Sequence, residues 1–397
     1  MTQTENNSKK IKNFVRTFNG SDHTEFYGTI RTSAIRSMDE VRDAYRTFAT
    51  AIRETKCVPI FEKNFIPLFK KEELRRVRAQ VLTEGGIETP PLVTFIDGAP
   101  PGDSLLGGIQ WWGIRPHGDA SKPERIDAQT MVWSNRHFHM CYIASIHADS
   151  GENPTLQTES SFQAARLRLE NLGFKFKDVL RTWVYLKDIL DWYNDFNIVR
   201  NKLYATRDFL ASANSIPPAS TGIGAQGGKG HIFLDVLAAK PIEGHPACFR
   251  LIQKSIGQGP AVEYGSNFSR AASLSFDKRT TLYISGTAAI DGAGKTEMPG
   301  KPREQLNRTV AHLEEILKEQ GGQLADIASA VLYCRTEEAL EAALSEISAL
   351  GLDHVPMIHV IADVCRPDLE VEIEAIAIFN TPMENNPHTT KKHDASC

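Results

Sequence analysis

The sequence predicts an α+β protein made of tandem units, each a mixed sheet with two helices packed on one face, the units closing a pseudo-trimer within one chain. Three observations predict it. Four landmarks, Gln157, Gly173, Asp178 and Tyr185, return at identical spacing as Gln305, Gly321, Asp326 and Tyr333. Helix-period and strand-period stretches follow one another in the same order in both copies. A chain of 397 residues, 41% of them apolar, is long enough to bury several cores.

Taken in order, residues 1–24 read as a polar tail. A fainter unit follows over 25–120. Its helix-like stretch, 38–52, leads to the apolar run Val58-Pro-Ile-Phe61 and then to a charged helix over 70–82. Stretches 90–97 and 106–114 supply closing strands, although the glycine and aspartate landmarks are missing. The second unit, 121–243, opens its repeat with a helix carrying Phe162, Ala165, Leu169 and Leu172 and ending at Gly173, as a C-cap glycine should. A strand over 179–186, a second helix, a proline and strands at 217–223 and 231–239 complete it. The third unit, 244–380, repeats the plan with Val310, Leu313 and Leu317, Gly321, and strands at 327–334, 357–362 and 371–378. Residues 381–397 form another polar tail. Two helices on one face leave the other sheet face to be buried against neighbouring units, so three units can close without partners.

Composition excludes several classes. A net charge of -4 gives no general attraction for nucleic acid or anionic lipid, so an anionic ligand needs locally placed arginines. No apolar run reaches the roughly eighteen residues of a membrane span, and the N-terminus has no apolar signal core. Six cysteines without CxxC spacing argue against a zinc site or a disulfide framework, and the chain reads as cytoplasmic with reduced thiols. Gly222-Ile-Gly-Ala-Gln-Gly227 satisfies GxGxxG, but a strand pattern follows where a dinucleotide site needs a helix. Gly228-Lys-Gly230 lacks P-loop spacing. His137 and His139 have no clear third ligand, so no metal is expected. His359 reads as a satisfied core residue.

The chemistry concentrates near the end of the third unit. Glu372 lies between Val371 and Ile373, where a strand wants an apolar or satisfied residue. Aligning the last strands of the two clear copies puts Phe233 at its place, so the acid belongs to one copy. A carboxyl desolvated in such a wall has a raised pKa and can donate a proton near neutrality. The alternative is a strand whose Glu372 and Glu374 face water.

The repeat resembles the YjgF/RidA superfamily through Asp178-Val-Leu-Arg-Thr-Trp-Val-Tyr-Leu-Lys-Asp188, Pro218-Ala-Ser-Thr221 and Val371-Glu-Ile-Glu-Ala-Ile-Ala377. Within it, the stretch 181–200, Glu263-Tyr-Gly-Ser-Asn-Phe-Ser-Arg270, Ser285-Gly-Thr-Ala288 and Asp363-Val-Cys-Arg-Pro-Asp-Leu-Glu-Val-Glu372 are similar to the chorismatase branch, over roughly residues 85–380. The resemblance implies RidA-like units and an enzyme that releases pyruvate from chorismate without a metal or organic cofactor. It makes Glu372 the proton donor to the enolpyruvyl methylene. Cys365, together with Gly286, Thr287 and Ala288, would lie at the substrate, with Cys365 and Ala288 steering the product toward 3- or 4-hydroxybenzoate or a dihydroxycyclohexadiene carboxylate.

Chorismate carries two carboxylates, for which arginines are natural anchors. Strand alternation groups Arg181 with Val179, Trp183 and Tyr185, and the third unit has Ser329 at its place, so the fold does not require the charge. Arg181 and Arg270 are therefore candidate anchors, whereas Arg200 reads as surface-paired. Arg366 either guards the pocket or caps a turn. Tyr185, Tyr264 and Ser269 are candidate hydrogen-bond donors. Two other readings stand beside this one. An imine deaminase of the RidA type uses an arginine soon after the proline, but Ser220 follows Pro218-Ala219 and Ile358 follows Pro356-Met357. A non-catalytic ligand-binding protein would share the scaffold.

Overall fold

Helix and strand signals place two helices and one mixed sheet in each unit. The computed structural model describes residues 10–98, 103–118, 122–148, 151–210, 216–227, 230–244 and 248–380. The first unit contains β1 (Ile11–Asn19), β2 (His23–Thr32), α1 (Met38–Thr55), β3 (Val58–Ile66), α2 (Lys71–Glu84), β4 (Leu92–Asp97) and β5 (Gly108–Pro116). The second runs β6 (Glu124–Arg125), β7 (Thr130–Ser134), β8 (Phe138–Ile146), α3 (Pro154–Asn171), β9 (Val179–Leu186), α4 (Ile189–Tyr204), β10 (Ala219–Gly224) and β11 (Ile232–Pro241). The third has β12 (Cys248–Ile252), β13 (Ala271–Phe276), β14 (Arg279–Ala288), α5 (Pro302–Glu319), β15 (Ile327–Cys334), α6 (Glu337–Ala349), β16 (Met357–Ile361) and β17 (Val371–Asn380).

Sheet orders β1-β2-β5-β3-β4, β6-β7-β8-β11-β9-β10 and β12-β13-β14-β17-β15-β16 superpose strand for strand once the extra edges β6 and β12 are set aside. The faint first unit is thus a full copy without the landmark residues. Local chemistry starts and stops the helices. Ser37 and Glu40 form a capping box on α1, and Asn153 caps α3 ahead of Pro154. Gly173 and Gly321 take the left-handed conformation (φ 79° and 87°) after α3 and α5, as their sequence positions predict.

Each sheet buries one face under its own helices, and the three remaining faces meet in one central core. Aromatic pairs knit that core, among them Phe61–Tyr142 (4.6 Å, stacked) and Tyr185–Phe233 (4.6 Å, stacked). Three seams join the units in cyclic order. From β4, Thr94 donates to Asp235 at 2.9 Å. At β10, the Ser220 amide donates to Ser285 at 2.9 Å. Beside β16, Gln110 donates to Ser329 (2.9 Å) and to the Ala330 carbonyl (2.8 Å).

Three expectations need correction. Residues 11–24 are not a tail: β1 pairs along its whole length with β2. Its polar sequence is that of an edge strand with one wet face. Residues 1–9 and 381–397 lie outside those described, as do Gly228 and Lys229. Val179 does not share the Arg181 face, because a bulge between Leu237 and Ala238 shifts the register and sends Leu180 into the central core instead. Cys57, Cys141, Cys334 and Cys365 are free thiols, but Cys248 is disulfide-bonded, since absence of a framework spacing does not forbid a single bridge.

Opposite the seam strands, the turns β1–β2, β7–β8 and β13–β14 converge on a buried ionic cluster. His23 binds Asp22 (2.7 Å) and Glu25 (3.2 Å), Arg279 binds Glu25, and His137 binds Asp277 at 2.9 Å. Burial opposes the His23 charge, yet the hydrogen bonds to Asp22 and Glu25 outweigh it and raise its pKa to about 9. For Glu25, burial is likewise outweighed, by Arg279 and His23, and its pKa falls to about 2. Stability from His23 is therefore fully present below pH 6.5 and lost as pH rises toward 9, while that from Glu25 is present above pH 4.5 and lost as pH falls toward 2. Urea denaturation midpoints of the native protein should decline from pH 6.5 to 9, and His23→Gln should flatten that decline, removing on the order of 2 kcal/mol of pH-dependent stability. Parallel declines in both proteins would refute the role of His23.

Candidate active site

Strand β17 alternates strictly: Val371, Ile373, Ala375 and Ala377 pack under the helices, so Glu372 and Glu374 point into the molecule. They are 4% and 5% exposed, which rules out the solvent-facing alternative. Their environments differ. Glu374 accepts from Arg181 Nη2 at 2.8 Å and from the Tyr333 hydroxyl at 3.1 Å. Glu372 has no cation within ion-pair distance among the described residues. Burial first, then the charge of Glu374, push its pKa up to about 8, against a weaker opposing pull from Arg181. Two carboxyl groups two residues apart are thus divided by environment: one is paired with a guanidinium and the other, without a cation, is kept as an acid at neutral pH.

A bulge in β14 makes room for this acid. Its register against β17 jumps between Ile284 and Thr287, and Gly286 lies so near the Glu372 carboxyl that a Cβ there would stand 1.9 Å from Oε1. Across the seam, Thr221 of β10 accepts the Gly286 amide at 2.9 Å. Ala288 pairs with Glu372 in the ladder.

A narrow cavity opens from Glu372 along the seam between the second and third units. Three guanidinium groups line it. Arg270, just before β13, donates to the Gly259 carbonyl (2.8 and 3.2 Å) and lies over the rings of Tyr264 and Phe268. Arg366 donates to the Gly294 carbonyl and also lies over the Tyr264 ring. Arg200 comes from α4, lies over Phe196 and donates to Asn197, while its buried Nε has no partner. None of the three has a carboxylate within ion-pair distance among the described residues. The first unit shows the contrast: buried Arg78 of α2 is held by Glu62 of β3, and β9 carries Thr182 at the corresponding register. A kink in α4 lies just before its two cavity residues, Tyr193 and Arg200. Trp192 leaves helical geometry (φ -146°, ψ 15°) and its indole donates to the Lys187 carbonyl at 2.8 Å. Tyr193 is thereby laid over Gly222 and stacked on Phe196.

The structure brings Glu372, Cys365, Arg270, Tyr264, Gly286, Ala288 and Arg366 to this cavity. Four other expected residues lie elsewhere. Arg181 is locked to Glu374 and Thr221 in the central core. Tyr185 stacks on Phe233, Ser269 donates to the Pro217 carbonyl, and Thr287 turns toward its own strand, donating to the Ser285 carbonyl. Arg200, read as surface-paired, is instead 2% exposed on the cavity wall. Its signal was available: it falls on the stripe Ile189, Trp192, Phe196, Leu203, the apolar face of α4. Tyr193, Ser220, Ser266 and Phe268 were also missed. His359, expected to be satisfied, has an unpartnered Nε2, and burial followed by Arg31 lowers its pKa to about 3. Cys365 is a protonated thiol, because burial and then the Glu372 charge drive its pKa up to about 12. A wider basin elsewhere is lined by Asp97, Asp188 and Asp363, with Arg335 tied to Glu370, and would repel an anion. No group of three ligating side chains suited to a metal occurs among the described residues, nor does any helix among them long and apolar enough to cross a membrane.

Residues 265–379 match the Endoribonuclease L-PSP family. A chorismatase crystal structure superposes with a TM-score of 0.60 at 18% identity, covering 90% of this chain and 100% of that chain. A putative endoribonuclease from Thermotoga maritima (TM-score 0.28, 23% identity) covers 33% of this chain with 98% of its own. A YjgF-family protein from Neisseria meningitidis (TM-score 0.26, 19% identity) covers 34% with 98% of its own. No curated protein sequence matches. The chorismatase likeness establishes the fold, tandem RidA-like units in one chain.

Buried cations without counterions destabilise an empty site. Arg200→Met should therefore raise the stability of the ligand-free protein by about 1–2 kcal/mol in urea denaturation. A loss of stability of that size would mean that Arg200 is a structural residue.

Proposed function

We propose that this chain is a chorismatase, releasing pyruvate from chorismate by protonation of the enolpyruvyl group. The observation that carries the reading is a buried carboxyl without a cation, beside three guanidinium groups with no carboxylate in ion-pair distance among the described residues. Chorismate is a dicarboxylate with an electron-rich vinyl ether, and it needs what the site supplies: cations for two carboxylates and an acid for one carbon. The fold shared with a chorismatase points to the same substrate.

Arg200 reaches the cavity from the second unit, and Arg270 and Arg366 from the third, so the two carboxylates can be held from opposite sides. Glu372 gives its proton to the methylene carbon, the C=C π electrons form the new C–H bond, and an oxocarbenium ion results. The departing proton leaves a carboxylate facing that cation in a water-poor cavity, where the attraction is strong. Water adds to the oxocarbenium carbon, its proton passes back to the Glu372 carboxylate, and the hemiketal collapses to pyruvate and a ring alcohol. When the ring loses water as well, a hydroxybenzoate is the product. As a protonated thiol, Cys365 is suited to shaping the ring site and donating a weak hydrogen bond rather than to nucleophilic attack.

Purified protein incubated with chorismate, with pyruvate followed through lactate dehydrogenase, tests the reading directly. Glu372→Gln should lower pyruvate release by about 10²–10⁴-fold while retaining a chorismate-induced melting shift. Turnover should fall above about pH 8 as Glu372 ionises. Pyruvate release at the level of the Gln variant would remove the assignment. Cys365→Ala is expected to alter the ratio of hydroxybenzoate to ring diol on chromatography more than the rate of chorismate loss. An unchanged ratio would exclude a steering role.

A further inference from the structure

Arg181 and Glu374 lie outside the cavity, yet both end on the wall that carries the acid. Along β17, Glu374 is the next side chain on the Glu372 face. Across the seam, Arg181 donates to the Thr221 hydroxyl, which accepts the Gly286 amide at 2.9 Å, and Gly286 is the backbone against which the Glu372 carboxyl rests. One guanidinium from the second unit therefore ties the anion of the third unit to the bulge beneath its acid.

We propose that Glu374 is a positioning residue whose fixed charge keeps Glu372 in its acid form, and that Arg181 acts through Thr221 to hold the Gly286 bulge under that carboxyl. This rests on Glu372 being the proton donor. The groups facing Glu372 divide clearly. Arg181 favours its ionised form, and Arg200, Arg270 and Arg366 are the cations that line its cavity. Cys365 and Tyr193 are neutral, each pushed by burial up to about 12. The Tyr333 and Tyr264 hydroxyls are also held neutral by burial. Glu374 is the facing carboxylate that opposes ionisation, and the Arg181 and Tyr333 contacts fix its position in the core. When a dicarboxylate neutralises the arginines, the Glu374 charge remains to disfavour a second anion beside it.

Infrared titration of the resting protein reads the carboxyl without substrate. Glu372→Gln should delete one protonated-carboxyl band, whose midpoint in the native protein lies near pH 8. Glu374→Gln should move that midpoint down by about one pH unit or more, and Glu374→Asp should restore it. If Glu374→Gln leaves Arg181 unpaired and does not fold, Arg181→Gln combined with Glu374→Gln removes both ions and should still lower the midpoint. In turnover, Thr221→Val should lower kcat about tenfold or more with little change in KM and no shift of the alkaline limb. A midpoint unmoved in folded Glu374→Gln, or in the double variant where the single one does not fold, would overturn the proposal even if pyruvate release is normal. No pyruvate from the native protein would instead sink the chorismatase reading while leaving the titration to decide the role of Glu374. An unchanged kcat in Thr221→Val would remove Arg181 from the positioning role.

Discussion

The ion pair between Arg181 and Glu374 joins what the rest of the molecule has to bring together. It crosses the seam between the second and third units, lies fully buried, and ends on the strand that carries the acid. Equivalent places at the other seams are filled by weaker pairs. Gln110, Asp235 and Glu374 share one register position in their sheets, facing Ser329, Lys63 and Arg181 of the adjoining units. Lys63 sits 3.8 Å from Asp235 and over the Trp183 ring, and burial lowers its pKa to about 8. Polar groups on the axis must find partners there because three apolar sheet faces exclude water around them, and each partner comes from a different unit.

Three seams built alike carry one acid. The position of Glu372 is Phe233 in the second unit and Gly108 in the first, by their ladder partners Tyr333, Tyr185 and Phe65. Phe233 is stacked on Tyr185, and Gly108 is so close to Ile358 that a Cβ would meet it at 2.9 Å. The other two places are thus closed by packing, while the third keeps Gly286 and a cavity. The arginines follow the same logic. Arg78 of the first unit has its buried counterion Glu62, whereas β9 carries Thr182 at that register and Arg200 has no carboxylate in ion-pair distance among the described residues, which leaves it to meet an anion from solution. Pairing every charge would make a more stable protein and a poorer receptor.

Much of this was legible in the sequence because it is local. Glycine caps, helix stripes and strand alternation depend on residues a few positions apart, and they marked both clear units. Glu372 was legible as well, since an acid at a position that its sister copy fills with Phe233 requires a reason. The first unit was faint because its landmarks are absent although its packing positions are kept. Strand β1 was missed because an edge strand with one wet face reads as polar chain.

The sequence by itself determined the repeated α+β unit, the strand bearing the acid and half of the residues lining the cavity. Tertiary structure alone decided which arginines remain free. Arg181 and Arg200 lie 19 positions apart in one unit, and no local pattern distinguishes the locked one from the open one. The lock on Arg181 depends on Glu374, nearly two hundred residues away, and on the β9–β11 bulge that sets which residues of β9 turn inward. Charge pairing is decided by distance in space, and here the closing of three units around one axis fixes those distances.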